Sequence, residues 1–309
     1  MERQLKISKR GLRLGGGAVA VTGALVATGV LVAPAQAAPP SGVVAKGAYL
    51  ADGDSGKKLW GKGADTRRQM ASTTKVMTAT VVLDGKPDLS RKVTVKKTYR
   101  DYVAREGAST ADLRTGDKVT VRQLLYGMML PSGCDAAYAL ADAFGKGDTV
   151  KKRTASFIGK MNAKARQLGL KNTRFDSFDG ISQGGKNYTT PGDLAKIAGQ
   201  ALKHKTLRDV AKTVTTKQKA TNGRVYTWTN TNTLLGSYKG VTGIKTGTGT
   251  KAGPCLVFAA TRDGRTVTGV ILNSTKRYQD AARMLDWAFD QNQRKTLDLR
   301  KLPVGAQRD

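Results

Sequence analysis

The hydrophobic period of this chain changes along its length, and that change limits the available folds more than any other feature. Val43–Ala51 and Lys57–Lys62 alternate as strands would, parted by the turn cluster Asp52-Gly53-Asp54-Ser55-Gly56. Residues 71–84 read as a helix, apolar at Val76, Met77, Val81 and Val82 and stopped by Gly85 and Pro87. From 119 to 202 the period is mainly helical. Thr120 and Gln123 form a capping box ahead of Leu124, Leu125 and Met128. Pro131 and Gly133 break that helix, and Asp135 is placed to cap the next, which carries Ala136, Leu140 and Phe144. A third helix carries Phe157, Ile158, Met161 and Leu168 and ends at Gly169; Thr190-Pro191 opens a fourth with Leu194, Ile197 and Leu202. Alternation then returns at Tyr226 and Trp228. Val241–Lys245, Cys255–Thr261 and Val267–Asn273 read as three more strands, with Asp263-Gly264 as the hairpin turn between the last two. A helix over 279–290 closes the pattern with Met284, Leu285, Trp287, Ala288 and Phe289. Strands lie at both ends and helices in the middle, so the expected class is α+β. The two ends supply an antiparallel sheet flanked by helices, about 43–85 and 205–292, and the middle a helical lobe, about 86–204. The domain is expected over 38–292, with a polar tail at 293–309.

The first 37 residues decide the compartment. Arg3, Lys6, Lys9, Arg10 and Arg13 form a basic opening, Leu14–Val32 is uncharged, and Ala35-Gln36-Ala37 supplies small residues for cleavage. This is a secretory signal pattern over 1–37, with a retained anchor as the alternative. Export bears on the net charge of +30. So basic a chain suggests nucleic acid. An exported one would instead meet anionic wall polymers, or use the charge for solubility. The expectation is a secreted, extracytoplasmic monomer with no nucleic-acid partner.

Residue scarcity excludes several chemistries. With one histidine, His204, a metal site built on several histidines is impossible, and no metal or cofactor is expected. A serine–histidine triad would require His204, whose basic neighbours suit a solvated helix end. Beyond the leader Glu106 is the sole glutamate, so no Glu–Glu glycosidase pair exists. Cys134 and Cys255 would ordinarily pair in an exported protein. Both flank the motifs below, so free thiols on opposite sides of a cleft are expected.

Three short motifs carry the chemistry. Ser72-Thr73-Thr74-Lys75 stands at a helix head, where a spacing of three puts both side chains on one face. A serine hydroxyl needs a base, and a lysine can serve only if desolvation or nearby positive charge lowers its pKa. Backbone N–H groups at the helix start favour charge developing on an attacked carbonyl. Ser55-Gly56-Lys57-Lys58 has the same spacing but lies in a hairpin turn. Ser132-Gly133-Cys134 sits between two helices, where Ser132 could relay a proton to a leaving amine, or form an ordinary interhelical turn. Lys245-Thr246-Gly247 ends a strand. There Lys245 could hold a carboxylate and depress the pKa of Lys75, Thr246 adds a hydroxyl, and Gly247 permits close approach of a substrate backbone.

S-x-x-K with K-T-G is a signature of penicillin-binding proteins and class A β-lactamases. From about Val43 to Phe289 the chain resembles the low-molecular-weight penicillin-binding proteins, the D-alanyl-D-alanine carboxypeptidase family (peptidase S11). Ala-Ser-Thr-Thr-Lys-Val-Met-Thr, Met-Leu-Pro-Ser-Gly-Cys-Asp-Ala-Ala, Gly-Ile-Lys-Thr-Gly and Asn230-Thr-Asn-Thr-Leu-Leu235 carry the likeness. The resemblance implies a β-lactamase/DD-peptidase fold and a D-Ala-D-Ala peptide of peptidoglycan as substrate, with β-lactams as covalent inhibitors. It implies Ser72 as nucleophile, Lys75 as base and Ser132 as relay. Lys245 and Thr246 would anchor the terminal carboxylate, with Arg277 near that subsite. The N–H groups of Ser72 and Thr248 would form the oxyanion hole. Cys134 departs from the usual asparagine of the second motif. A thiol bonds an amide poorly, and actinomycete DD-transpeptidases similar to this chain share Ser-Gly-Cys, which favours aminolysis. The C-terminal β-domain of many relatives is absent from the pattern. A same-fold β-lactamase and a non-catalytic wall-binding protein are the competing readings.

Overall fold

The computed structural model describes residues 38–307; the expected signal segment lies outside them. The chain opens with β1 (Gly47–Asp52) and β2 (Lys58–Lys62), then the short β3 (Arg68–Gln69) and the helix α1 (Lys75–Asp84). The insert follows as β4 (Lys92–Thr94), α2 (Lys97–Glu106), β5 (Lys118–Thr120), α3 (Val121–Met129), α4 (Cys134–Phe144) and α5 (Val150–Gln167). After β6 (Tyr188–Thr189) come α6 (Pro191–Leu202), α7 (Lys205–Ala211), β7 (Thr215–Lys219) and β8 (Val225–Thr229). The chain finishes with β9 (Val241–Gly247), β10 (Cys255–Arg262), β11 (Arg265–Leu272) and α8 (Arg277–Phe289).

The two ends meet as expected. They form one antiparallel five-stranded sheet, ordered β2-β1-β11-β10-β9, so the first hairpin pairs with the last strand. Period-2 alternation sends β10 side chains to opposite faces. Leu256, Phe258 and Ala260 pack with Met284 and Leu285 of α8. Val257 and Ala259 join the larger core that contains Val76 and Met77 of α1 and Ile197 of α6. Both faces are therefore covered, which explains the near-continuous apolar runs of β10 and β11. Gly269 lies opposite Phe258. A methyl group there would sit 2.0 Å from that ring, so only glycine leaves room for the phenylalanine.

Local signals set the insert. The Thr120–Gln123 capping box forms, with Gln123 N donating to Thr120 Oγ1 at 3.2 Å and Thr120 N to Gln123 Oε1 at 2.8 Å. Thr190 caps α6 with Pro191 in its first turn, and Asp263 and Gly264 turn the last hairpin with φ of 47° and 74°. Asp135 requires a correction. The cap of α4 is Gly133, and Asp135 lies in the first turn, where its Oδ1 accepts from Ala136 N at 3.0 Å. Fully buried, its carboxylate accepts from Ala111 N (2.8 Å), Leu113 N (3.0 Å) and Thr110 Oγ1 (2.8 Å), holding the 110–113 segment against α4. His204 precedes α7, its Nε2 2.8 Å from Asp84 Oδ1, so it buttresses the end of α1. The segment beyond α8 stays attached: Asp286 accepts from Gln293 N and Arg294 N, and Arg300 Nη2 donates to Asn230 O at 2.6 Å. Among the described residues no helix is long and apolar enough to cross a membrane.

Asp135→Ala leaves three buried backbone N–H groups, those of Ala111, Leu113 and Ala136, without this acceptor. It should destabilise the protein by about 3 kcal/mol or more, read as a lower urea midpoint at unchanged slope.

Candidate active site

The helix α1 is buried on every side; Val76, Met77, Thr78, Ala79, Thr80, Val82 and Leu83 all lack appreciable exposure. A helix apolar all round belongs at the centre of a domain, and its head is where Ser72 and Lys75 stand. The turn differs from the expected single helix over 71–84. Ala71–Thr74 is a 3₁₀ turn, and the α-helix begins at Lys75. The spacing of three is retained. Lys75 is 0% exposed. Its Nζ lies 2.9 Å from Ser72 Oγ, 2.9 Å from Asp179 O and 3.3 Å from Cys134 Sγ. All three atoms can accept a hydrogen bond from the amine, so its buried N–H groups are satisfied.

Ser132 follows Pro131 with φ of 65°, a left-handed conformation rare outside glycine. Its Oγ is buried and lacks a hydrogen-bond partner in the structure. Strained backbone and a buried hydroxyl without a partner are features that cluster at functional sites, and Ser132 stands two residues before Cys134, whose Sγ meets Lys75. Gly133 next to it admits no side chain, since a methyl would meet Gly127 O at 2.6 Å and Ala111 N at 2.7 Å. Cys134 starts α4 and is 2% exposed. Burial pushes its thiol well above the usual range despite the nearby Lys75, so it is present as a neutral thiol. Neither cysteine forms a disulfide, as expected, and both are buried, Cys134 in the insert and Cys255 on β10.

The third motif closes β9. Lys245 is 1% exposed, with Nζ 2.9 Å from Thr246 O. Thr246 Oγ1 lies 2.6 Å from Thr231 Oγ1, and Thr231 N donates to Leu130 O at 3.1 Å. That chain of bonds joins the third motif to the segment leading into Ser132. A methyl on Gly247 would lie 2.8 Å from Ser72 N and 2.9 Å from Thr73 N, so β9 passes directly over the turn that carries Ser72. Arg277, on α8, donates from Nη1 to Thr248 Oγ1 at 2.9 Å and Gly247 O at 3.2 Å. Ser72, Cys134 and Thr248 line one cavity of 480 Å³. A groove of 580 Å³ between α7 and the β9 edge contains none of the motif residues.

Sequence reasoning missed Asp179, Thr231 and Tyr102, whose hydroxyl donates to Asp179 Oδ2 at 2.7 Å. Asp179 acts on Lys75 through its carbonyl, which any residue possesses, so no side-chain pattern could reveal it. Thr231 was visible only as part of the Asn230–Leu235 run. Among the described residues no cluster of histidine, cysteine or carboxylates could hold a metal ion. Gly247→Ala should force β9 away from Ser72 and slow acylation of Ser72 by about a hundredfold or more, measured by stopped-flow with a reporter β-lactam.

Known proteins match this arrangement. The family model described as D-alanyl-D-alanine carboxypeptidase (peptidase S11) matches residues 33–276. A D-alanyl-D-alanine carboxypeptidase of Streptomyces sp. strain K15 is 53% identical over 256 residues, covering 80% of this chain and 88% of the relative. The crystal structure of the Streptomyces K15 DD-transpeptidase superposes with a TM-score of 0.78 at 53% identity, covering 81% of this chain and 98% of that one. A D-alanyl-D-alanine carboxypeptidase structure from Mycobacterium tuberculosis H37Rv follows at a TM-score of 0.72 and 30% identity, covering 82% and 97%. A serine hydrogen-bonded to a buried lysine under a K-T-G strand, on this fold and with these relatives, places the chain in the peptidase S11 family of D-alanyl-D-alanine carboxypeptidases.

Proposed function

We propose that this chain is a serine-type DD-peptidase acting on D-Ala-D-Ala ends of peptidoglycan stem peptides. The observation that carries the reading is the buried Lys75 amine 2.9 Å from Ser72 Oγ. Ser72 Oγ attacks the penultimate D-Ala carbonyl as Lys75 takes its proton, and the N–H groups of Ser72 and Thr248 receive the oxyanion. Lys245 and Thr246 hold the terminal carboxylate, with Arg277 fixing Thr248 at the edge of that subsite. Ser132 passes the proton to the departing D-alanine amine. Water or an amine then attacks the Ser72 ester, giving hydrolysis or transpeptidation. Cys134 supports a bias towards aminolysis, because a neutral thiol holds an amide or a hydrolytic water less firmly than a carboxamide.

The same-fold β-lactamase is disfavoured, since a class A enzyme deacylates with a glutamate-held water and no glutamate lies between Ser132 and Lys245. Labelled benzylpenicillin should therefore leave a long-lived adduct on Ser72, detected by mass spectrometry and lost in Ser72→Ala. Rapid turnover would favour the β-lactamase, and an adduct surviving Ser72→Ala the non-catalytic wall-binding protein. Incubation with a D-Ala-D-Ala peptide, with and without glycylglycine, measures the partition between hydrolysis and transfer.

Secretion is part of the same reading. Cleavage after Ala37 would release a strongly basic monomer onto a wall of anionic polymers. The exported protein should begin at Ala38 by N-terminal sequencing and should elute from isolated walls as salt rises. Salt-independent retention, or none, would sink the ionic part.

A further inference from the structure

The catalytic cavity is bipolar. Of the residues lining it, Glu106 and Lys251 carry charge, and Glu106 is the one carboxylate among them. Glu106 ends α2, and Gly107 turns the chain away in a left-handed conformation with φ of 56°. Gly107, Ala108 and Ser109 then run along the cavity wall. Ser109 O accepts from Cys134 N at 2.8 Å, so this wall is tied to the second motif. The carboxylate is held in place. Gln183 Nε2 lies 3.2 Å from Oε1 and 3.1 Å from Oε2, and Arg105 Nε is 2.9 Å from Oε1. These bonds, Gln183 first and Arg105 second, hold the carboxyl below its ordinary range, so it stays ionised. A carboxylate offers about four acceptor positions, which leaves capacity beyond these bonds.

We propose that Glu106 is a specificity residue that binds a primary ammonium group carried by the peptide donor on the N-terminal side of the scissile bond. The inference rests on the catalytic reading above and adds the substrate chemistry to it. With the donor's terminal carboxylate at Lys245 and Thr246 and its scissile carbonyl at Ser72, the upstream residues extend towards the insert wall. That wall is built from 106–109 and 180–183, opposite the 248–252 loop of the sheet lobe. On a chain with net charge +30, the general field repels cations. The Glu106 carboxylate supplies a local exception inside the cleft: Arg105, its ion-pair partner, is mostly exposed and does not line this cavity, and general solubility does not explain the placement. The clasp to Gln183 positions the charge and needs no negative charge of its own, because a glutamine could make it too.

The test uses two D-Ala-D-Ala peptides that differ only in whether the preceding residue, lysine, has a free or an acetylated side-chain amine. The wild-type enzyme should prefer the free amine, with the difference mainly in KM and shrinking as salt rises. In Glu106→Gln the ratio of kcat/KM for the two donors should fall about tenfold, and Glu106→Lys should invert it. Gln183→Ala, which removes the clasp and keeps the charge, should retain the preference. An unchanged ratio in Glu106→Gln overturns the proposal. So does an effect confined to the partition between water and glycylglycine, because the carboxylate would then serve the incoming amine. Benzylpenicillin, which carries no ammonium, checks that each variant is folded by acylating Ser72. Its failure to acylate the wild-type protein would sink the catalytic reading itself, a separate outcome from loss of amine selectivity.

Discussion

The rest of this site depends on the enclosure of one amine. Lys75 Nζ is surrounded by Ser72 Oγ, Asp179 O and Cys134 Sγ, groups from three distant stretches of chain. An ammonium buried without a counter-ion is costly, so such a lysine persists only where neighbours satisfy its hydrogen bonds. Here the three atoms in reach are a hydroxyl, a backbone carbonyl and a thiol, so hydrogen bonds hold the amine in place. Placing Lys75 at the start of α1, a helix buried all round, excludes water and fixes the amine against the serine one turn earlier.

Close backbone approach does the remaining assembly. Gly180 would place a methyl 2.0 Å from Ala71 O, and Gly247 would place one 2.8 Å from Ser72 N. The nucleophile's turn is thus wedged between a loop of the insert and the last residue of β9, with no room for side chains on either side. Strain at Ala71, φ 45°, and at Ser132, φ 65°, lies in the segments that lead into Ser72 and Cys134, both of which line the cleft. Strained backbone held by surrounding packing is a means of positioning groups before substrate arrives.

Elements with strong local signals could be read directly. The Thr120–Gln123 box, the Thr190-Pro191 start and the Asp263-Gly264 turn each form as their chemistry dictates. Elements with weak signals were missed. The helix α2 is rich in lysine and arginine and buries only Tyr99 and Val103, too sparse a stripe to register as a period. The strand β7, Thr-Thr-Lys-Gln-Lys, is almost wholly polar and exists because β8 pairs with it. Asp135 was legible as a helix-start residue, yet its carboxylate serves a loop more than twenty residues earlier in the chain, a long-range use that local propensity cannot encode.

Sequence alone determined the three motifs and the order in which they occur: Ser72 with Lys75, Ser132 with Cys134, Lys245 with Thr246, on an α+β chain whose strands lie at its two ends. Helical spacing and turn chemistry are local, so residue identities suffice for them. Only the tertiary structure decided that Asp179 O faces Lys75, that Thr231 links Thr246 to the Ser132 segment, and that Glu106 shares a cavity with Ser72. Those relations are set by how the insert packs onto the sheet. Packing acts between residues far apart in the chain, through backbone carbonyls and excluded volume that no single residue type announces.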